Sequence, residues 1–394
     1  MTFRSPLSAS RSPAAEPGHL LPVYSQMPVR PVRGEGSWII DEEGNRWLDA
    51  YGGHAVASTG HSHPRVVAAI ADQAERLLFY STAVPHPNRE RLADRLAAMC
   101  PAPLERVFLC SSGAEANENA LHLARRHTGR RRVVSIGGGW HGRTVATSAC
   151  CDGEKYTAAA VRAGVETSIK VPFGDAGAMR RTVDGDVAAV ILEPVQGMAG
   201  ARACAPRFLE AAREACDMAR AVLIFDEVQC GVGRSGAFTA AEVLGVTPDI
   251  LTLAKGLASG LPIGAVVASP VVTATVGIGD LGSTFGGGPV PCAAALATLD
   301  VIEHEGLAAN AASVGAWIAD RAVRIPGVTD VQGLGLLLGL VLDRPAAEVQ
   351  RALFAKRVLT GTSTDPRVLR LLPPLTFSTA EAGLLLDALG AVLA

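Results

Sequence analysis

The stretch LTLAKGLASG, residues 251–260, sets a lysine directly behind an apolar run that reads as a buried strand, then surrounds it with glycine and other small residues. Lysine is scarce in this chain. Of 36 basic residues among 394, only Lys155, Lys170, Lys255 and Lys356 are lysines, and arginine carries the remaining positive charge. A lysine can lose its proton and attack a carbonyl, whereas a guanidinium stays charged. In a lysine-rich chain Lys255 would read as a strand-edge residue with its stem laid along apolar surface. Scarcity turns the reading towards chemistry.

Working outward, short apolar runs alternate with helical stretches: RVFLC 106–110, RVVSI 132–136, VAAVIL 187–192, AVLIF 221–225, DILTLA 249–254 and GAVVAS 264–269. Such runs predict an α/β fold whose mostly parallel sheet is covered on both faces. In these sheets ligands bind beyond the carboxyl ends of the strands. The residues at those ends are Ser111, Ser112 and Gly113, the run from Gly137 through Trp140 to His141, then Glu193, Asp226, Glu227 and Lys255.

The chain ends read differently. Residues 1–20 are rich in Ser, Pro and Ala and predict a disordered tail. In GSWIIDEEGNRWLDA two β-like runs flank a turn at Glu43, Gly44 and Asn45. After about residue 290 a helix leads to β-like runs in GLGLLLGLVL and RVLRLLPPL, and a last helix opens with Ser378 and Glu381 at capping-box spacing. We expect residues 21–63 and 290–394 to build a smaller α+β domain on a large domain of residues 64–289.

Composition narrows the partners. The net charge of −2, from 36 basic and 38 acidic residues, leaves no electrostatic footprint for nucleic acid. Small molecules are the expected partners. The sequence has neither a long apolar run for a membrane nor the apolar core of a secretory signal, so a cytoplasmic protein is expected. Eight cysteines occur without a CxxC pair, which predicts reduced thiols in the core and no zinc knuckle.

Each strand-end group carries two readings. SSGAEANENALHLARRH is a small-residue turn into a helix, and its free N–H groups suit a phosphate, although Ser112 could be an ordinary N-cap. Asp226 should be partly buried and therefore paired, either with a protonated ring nitrogen or in a structural salt bridge. Together the phosphate turn, the buried acid and the strand-end lysine meet the needs of pyridoxal phosphate: an anchor, a pyridinium partner and a Schiff-base nucleophile. A rival is GVGRSG, 231–236, which matches the dinucleotide-binding GxGxxG. Asp226 and Glu227 stand just before it, where their charge would oppose a pyrophosphate, and the next acid, Asp249, begins a strand instead of ending one. His61 and His63 in GHSHP could ligate a metal, but no acidic or Cys partner is near in sequence, so a turn into the Pro64 helix is the better reading.

The motifs IFDEVQCGVGRSGAF, PDILTLAKGLASGLPIGAV and GSTFGGGP together resemble those of class III, fold type I, pyridoxal-phosphate-dependent aminotransferases of the acetylornithine and ornithine group, over nearly the whole chain from about residue 25. The resemblance implies that Lys255 forms the covalent cofactor link, Asp226 pairs with the pyridine nitrogen and Gln229 with the ring oxygen. It assigns Ser112, Gly113 and Ala114 to the phosphate turn and Trp140 to the aromatic position on the ring. His141 and Glu193 are counted with the cofactor site. Thr284 would reach the phosphate of a neighbouring subunit's cofactor, which implies a homodimer with shared sites. Arg143 and Arg370 would hold the carboxylates of the amino acid and of 2-oxoglutarate, and the reaction implied is transfer of an ω-amine, as from N-acetylornithine, to 2-oxoglutarate.

This chain departs from the pattern in ways that bear on the substrate. Met198, in EPVQGMAG, stands where ornithine-type relatives carry a glutamate that masks the arginine matched by Arg370. Gly288 replaces an asparagine, Pro291 an alanine, and His54 occupies a pocket position that is commonly apolar. These departures leave open another amino donor, or another pyridoxal reaction, in specialised metabolism.

Overall fold

All six apolar runs become strands of one seven-stranded sheet in the computed structural model, which describes residues 19–394. Most of the expected tail therefore lies outside the described residues. In spatial order the strands are Arg106–Cys110, Gly264–Ala268, Ile250–Leu253, Val222–Asp226, Val187–Leu192, Arg132–Ile136 and Ile169–Val171. Gly264–Ala268 runs antiparallel to both of its neighbours and the other pairs are parallel. Two antiparallel pairings in succession restore the direction. The carboxyl ends of the other six strands consequently face one side, and the strand-end residues gather there.

The central strands show why their sequence lacks alternation. Every residue of Val187–Leu192 and of Val222–Asp226 is buried, because helices cover both faces. Gly113–Thr128 supplies part of that cover through Ala116, Ala120, Leu121, Leu123 and Ala124; Ser112 caps its start and Gly129, at φ +69°, its end. The Ile169–Val171 strand had no sequence signal, since three residues with Lys170 at their centre form no apolar run.

The expected hairpin forms, with Trp38–Asp41 antiparallel to Arg46–Asp49. Val358–Leu359 joins it in parallel, pairing Val358 with Leu48. A further antiparallel sheet combines Val328–Leu334, Leu337–Leu342, Val368–Leu371 and Gly361–Thr362. The last helix, Thr379–Leu393, has the capping box of Ser378 and Glu381, and Glu381 also accepts from Trp38 Nε1 at 3.0 Å. These cross-chain ties support a smaller unit made from both ends, with divisions near residues 63 and 290 as our proposal.

His61 and His63 do acquire acidic partners: Asp49, 12 residues before His61, at 2.7 Å, and Glu305, 242 residues after His63, at 3.2 Å. His63 also stands at the start of the Pro64–Arg76 helix. All eight cysteines are buried and unpaired. No helix among the described residues is long and apolar enough to cross a membrane.

Candidate active site

A cavity of about 330 Å³ opens at the carboxyl ends of the strands. Ten of the residues singled out from sequence line it: Ser111, Ser112, Gly113, Ala114, Trp140, His141, Glu193, Asp226, Gln229 and Lys255.

Lys255 is displaced by one position from the strand end, because Ala254 intervenes and the lysine opens a short 3₁₀ turn, Lys255–Ala258. Its φ is +39°, a region that side-chain-bearing residues adopt at a cost of about 1–3 kcal/mol and keep only where the surroundings impose it. Those surroundings include Ser58, whose hydroxyl donates to the Gly256 carbonyl at 2.7 Å. Burial lowers the Lys255 pKa below the usual 10.5, the charges of Asp226 and Glu193 oppose that shift, and Arg370 adds to it. Lys170 provides a contrast. Its ammonium donates to Ser135 Oγ, Ser168 Oγ and the Cys150 carbonyl within 2.8 Å, which fixes it as a structural cation. Among the described residues no such set of acceptors holds Lys255.

Asp226 ends its strand buried, with Oδ2 accepting from Asn117 Nδ2 at 2.7 Å and paired with His141 Nδ1 at 2.8 Å. Asn117 also donates to the His141 carbonyl and accepts from Thr252 Oγ1, so helix, loop and sheet converge on this carboxylate. Sequence reasoning missed Asn117. Its signal was a polar side chain on the otherwise apolar face that carries Ala116, Ala120 and Leu121. Glu193 accepts from the backbone N–H groups of Trp140 and Gly197, and burial followed by the charge of Asp226 raises its pKa. It therefore braces the two loops that border the cavity.

The turn at Ser112 is compatible with both of its readings. The hydroxyl accepts from Glu115 N–H at 3.2 Å as an N-cap, while the start of the helix faces the cavity at Gly113 and Ala114. A side chain at Gly113 would come within 2.6 Å of Val228 Cγ1, so glycine lets the turn settle onto that residue. Pyridoxal phosphate is tested by these features and fits. A helix start can take its phosphate, a buried carboxylate held by neutral donors and one histidine can face its ring nitrogen, and an unheld amine can meet its aldehyde.

Five other predicted residues do not line the cavity. Arg370 is buried beside it, donating through Nε to the Thr362 carbonyl at 2.6 Å and through Nη1 to the Gly197 carbonyl at 3.1 Å. Met198 is half-buried, and its carbonyl accepts from Thr364 N–H at 2.9 Å. His54 is exposed in a left-handed turn over Gly52–Ala55, with φ +67°, and its carbonyl accepts from Gln229 Nε2 at 3.2 Å. Arg143 is exposed, stacked 4.9 Å from the Trp140 ring centroid. Thr284 is also exposed, beside Phe285. The left-handed turn carries the His54 side chain towards Tyr51, outside the lining of this cavity. GVGRSG is no phosphate loop: Glu227 is wholly buried with its carboxylate on the N–H groups of Ala240 and Ala241, and the helix there, Ala240–Leu244, has five residues.

Comparison with known proteins agrees with this geometry. The family model for class-III aminotransferases matches residues 21–393. The acetylornithine aminotransferase of Methanothermobacter thermautotrophicus is 39% identical over 95% of this chain and 96% of that protein. That of Agrobacterium fabrum is 40% identical over 92% and 93% of the two chains. Among solved structures, the ornithine aminotransferase of Toxoplasma gondii superimposes with a TM-score of 0.89 at 31% identity, covering 95% of this chain and 92% of that one. A pyridoxal-phosphate-bound amine transaminase from an uncultivated Pseudomonas species gives 0.88 at 30% identity, over 96% and 99%. The strand-end lysine thus sits in a fold type I transaminase, and the chain belongs to the class-III aminotransferases, enzymes dependent on pyridoxal phosphate.

Proposed function

We propose that this enzyme transfers the ω-amino group of N-acetylornithine, or of a similarly acylated diamino acid, to 2-oxoglutarate. The observation that carries this reading is the cavity that brings Lys255, Asp226 and the Ser112–Ala114 turn together, with the buried guanidinium of Arg370 beside it. An amine is thereby placed within the field of both a ring-binding acid and a carboxylate-binding guanidinium. The names of the relatives support the donor class.

When bound, pyridoxal phosphate supplies an aldehyde carbon for an amine and a protonated ring that accepts electrons from the substrate carbon. The Ser112–Ala114 turn holds the phosphate by backbone N–H groups. Asp226 keeps a proton on the ring nitrogen, with Asn117 and His141 fixing the carboxylate, while Gln229 and Trp140 serve the ring's oxygen and face. With its amine free, Lys255 Nζ would take the proton from the substrate carbon and hand it to the cofactor's aldehyde-derived carbon, serving as general base and then general acid. Arg370 and Arg143 select carboxylates, the first by a buried fork and the second from the cavity's outer rim.

A second copy of the chain completes this reading. Thr284 is exposed, and the neighbouring Phe285 ring is 67% exposed although it packs 5.2 Å from Phe79. We place Thr284 against the partner's cofactor phosphate in a cytoplasmic homodimer. Sedimentation of the holoenzyme as a monomer would refute that assembly.

Met198 favours a second reading, in which the same machinery serves another donor or another reaction at the substrate carbon. Product analysis separates the two. Purified holoenzyme incubated with 2-oxoglutarate and a panel of amines should form glutamate from the acylated diamino acid. Cleavage products without glutamate would replace the first reading with the second.

A further inference from the structure

Arg370 is a buried cation whose acceptors are all uncharged. Its Nε and Nη1 donate to the carbonyls of Thr362 and Gly197, and none of the ion pairs among the described residues includes it. The Tyr51 ring packs over Gly361, the strand partner of Arg370, and its hydroxyl is a further uncharged polar group on the guanidinium's side of the strand pair. That hydroxyl also meets His54 Nδ1 at 2.6 Å, and the two rings lie 4.8 Å apart. A guanidinium has only donors, so towards Arg370 the tyrosine oxygen must accept. Its own proton is then directed to His54, whose Nδ1 receives it in the neutral imidazole.

The setting is built for this arrangement. Gly361 pairs with Arg370 across the Gly361–Thr362 and Val368–Leu371 strands, and a side chain at 361 would come within 2.4 Å of Tyr51 Cε2. Glycine there leaves the space that the ring fills. The Tyr51 and Gly52 N–H groups are both held by Asp49 Oδ1, at 2.9 and 2.8 Å, which fixes the start of the left-handed turn. At the other end Gln229, a cavity-lining residue, holds the His54 carbonyl. Burial, then Arg370, then Lys255 depress the His54 pKa, so the neutral ring that accepts the tyrosine proton is the favoured form.

We propose that Tyr51 and His54 are a positioning pair for Arg370: Tyr51 offers the guanidinium an uncharged acceptor, His54 fixes the direction of the Tyr51 hydroxyl, and the cation stays oriented yet unneutralised for a substrate carboxylate. A carboxylate acceptor at that place would cancel the charge that recognises the substrate. The phenol orients it without cancelling it. The charge therefore remains available to a dicarboxylic oxo acid and to a carboxylate-bearing donor alike. This inference rests on the aminotransferase reading of the site.

The test uses holoenzyme and glutarate, an unreactive dicarboxylate, with binding measured by calorimetry. Tyr51→Phe keeps the ring that packs on Gly361 and removes only the hydroxyl. It should weaken glutarate binding by about tenfold, as for loss of a hydrogen bond to a charged group. His54→Leu should weaken it by a smaller factor, and His54→Gln, which keeps an acceptor, should recover most of the loss. In single turnovers, a simple monoamine without a carboxylate should react with Tyr51→Phe as it does with the unsubstituted enzyme. Unchanged glutarate affinity in Tyr51→Phe would overturn the pairing, as would an equal loss for glutarate and the monoamine, which marks a structural defect. Failure of the unsubstituted enzyme to bind glutarate at all would overturn the carboxylate role of Arg370 and the proposed acceptor together.

Discussion

His141 Nδ1 lies 2.8 Å from Asp226 Oδ2, with both side chains buried. Asn117 supplies a second donor to the same oxygen and the Val228 N–H binds Oδ1 at 3.1 Å. Three partners thus fix one carboxylate at the cavity floor. Asp226→Asn should keep the cofactor, because the phosphate turn is untouched, yet lose turnover by at least about a hundredfold, or about 3 kcal/mol of transition-state stabilisation. An amide does not stabilise a pyridinium as a carboxylate does. A single-turnover rate near that of the unsubstituted enzyme would remove the electronic role of Asp226.

The Lys255 amine should react with aldehydes at lower pH than a free lysine side chain. Burial disfavours its cation, so the folded pKa is below 10.5 and the neutral, nucleophilic amine is populated earlier as pH rises. Reductive alkylation of the cofactor-free protein across the alkaline range, with Lys255 quantified by peptide mass spectrometry and Nα-acetyl-lysine as reference, measures this. Coincident pH profiles would contradict the shift.

Among the described residues no acid pairs with Arg370, and the carbonyl of Gly197, just before Met198, serves the guanidinium instead. Met198→Glu should lower single-turnover rates with glutamate more than with an ω-amine donor, by a relative factor of about 5 to 150, or about 1–3 kcal/mol. Equal changes for both donors would show that position 198 does not govern access to Arg370.

Glu227 is structural despite its place beside Asp226. Its oxygens accept from the N–H groups of Ala240 and Ala241, and neither oxygen can be replaced by an NH₂ group without setting donor against donor. Glu227→Gln should cost about 1–3 kcal/mol of stability in denaturant unfolding. A loss below about 0.5 kcal/mol, the range of an ordinary surface change, would show that these bonds are dispensable.

Legibility followed the range of the interaction. Continuous apolar runs exposed the central strands because burial on both faces needs only local composition, and the capping box at Ser378 and Glu381 was visible for the same reason. The strand-end rule then gathered the cavity-lining residues from Ser112 to Lys255. Asn117 was missed because its partners, Asp226 and Thr252, lie more than a hundred residues away and its own neighbourhood reads as plain helix. Tyr51 and Arg370 meet only because the Val358–Leu359 strand joins the N-terminal hairpin and brings Gly361 under the tyrosine ring. The left-handed turn at Gly52–Ala55 was equally hidden, since its two glycines permit many conformations and tertiary contacts choose one.

If Lys255 alone forms the covalent cofactor link, borohydride reduction of the holoenzyme fixes the cofactor there, and peptide mass spectrometry reads the site. The reduced cofactor should appear on Lys255 and on no other lysine, with Lys255→Ala showing none. Stable labelling at Lys155, Lys170 or Lys356 in place of Lys255 would contradict it.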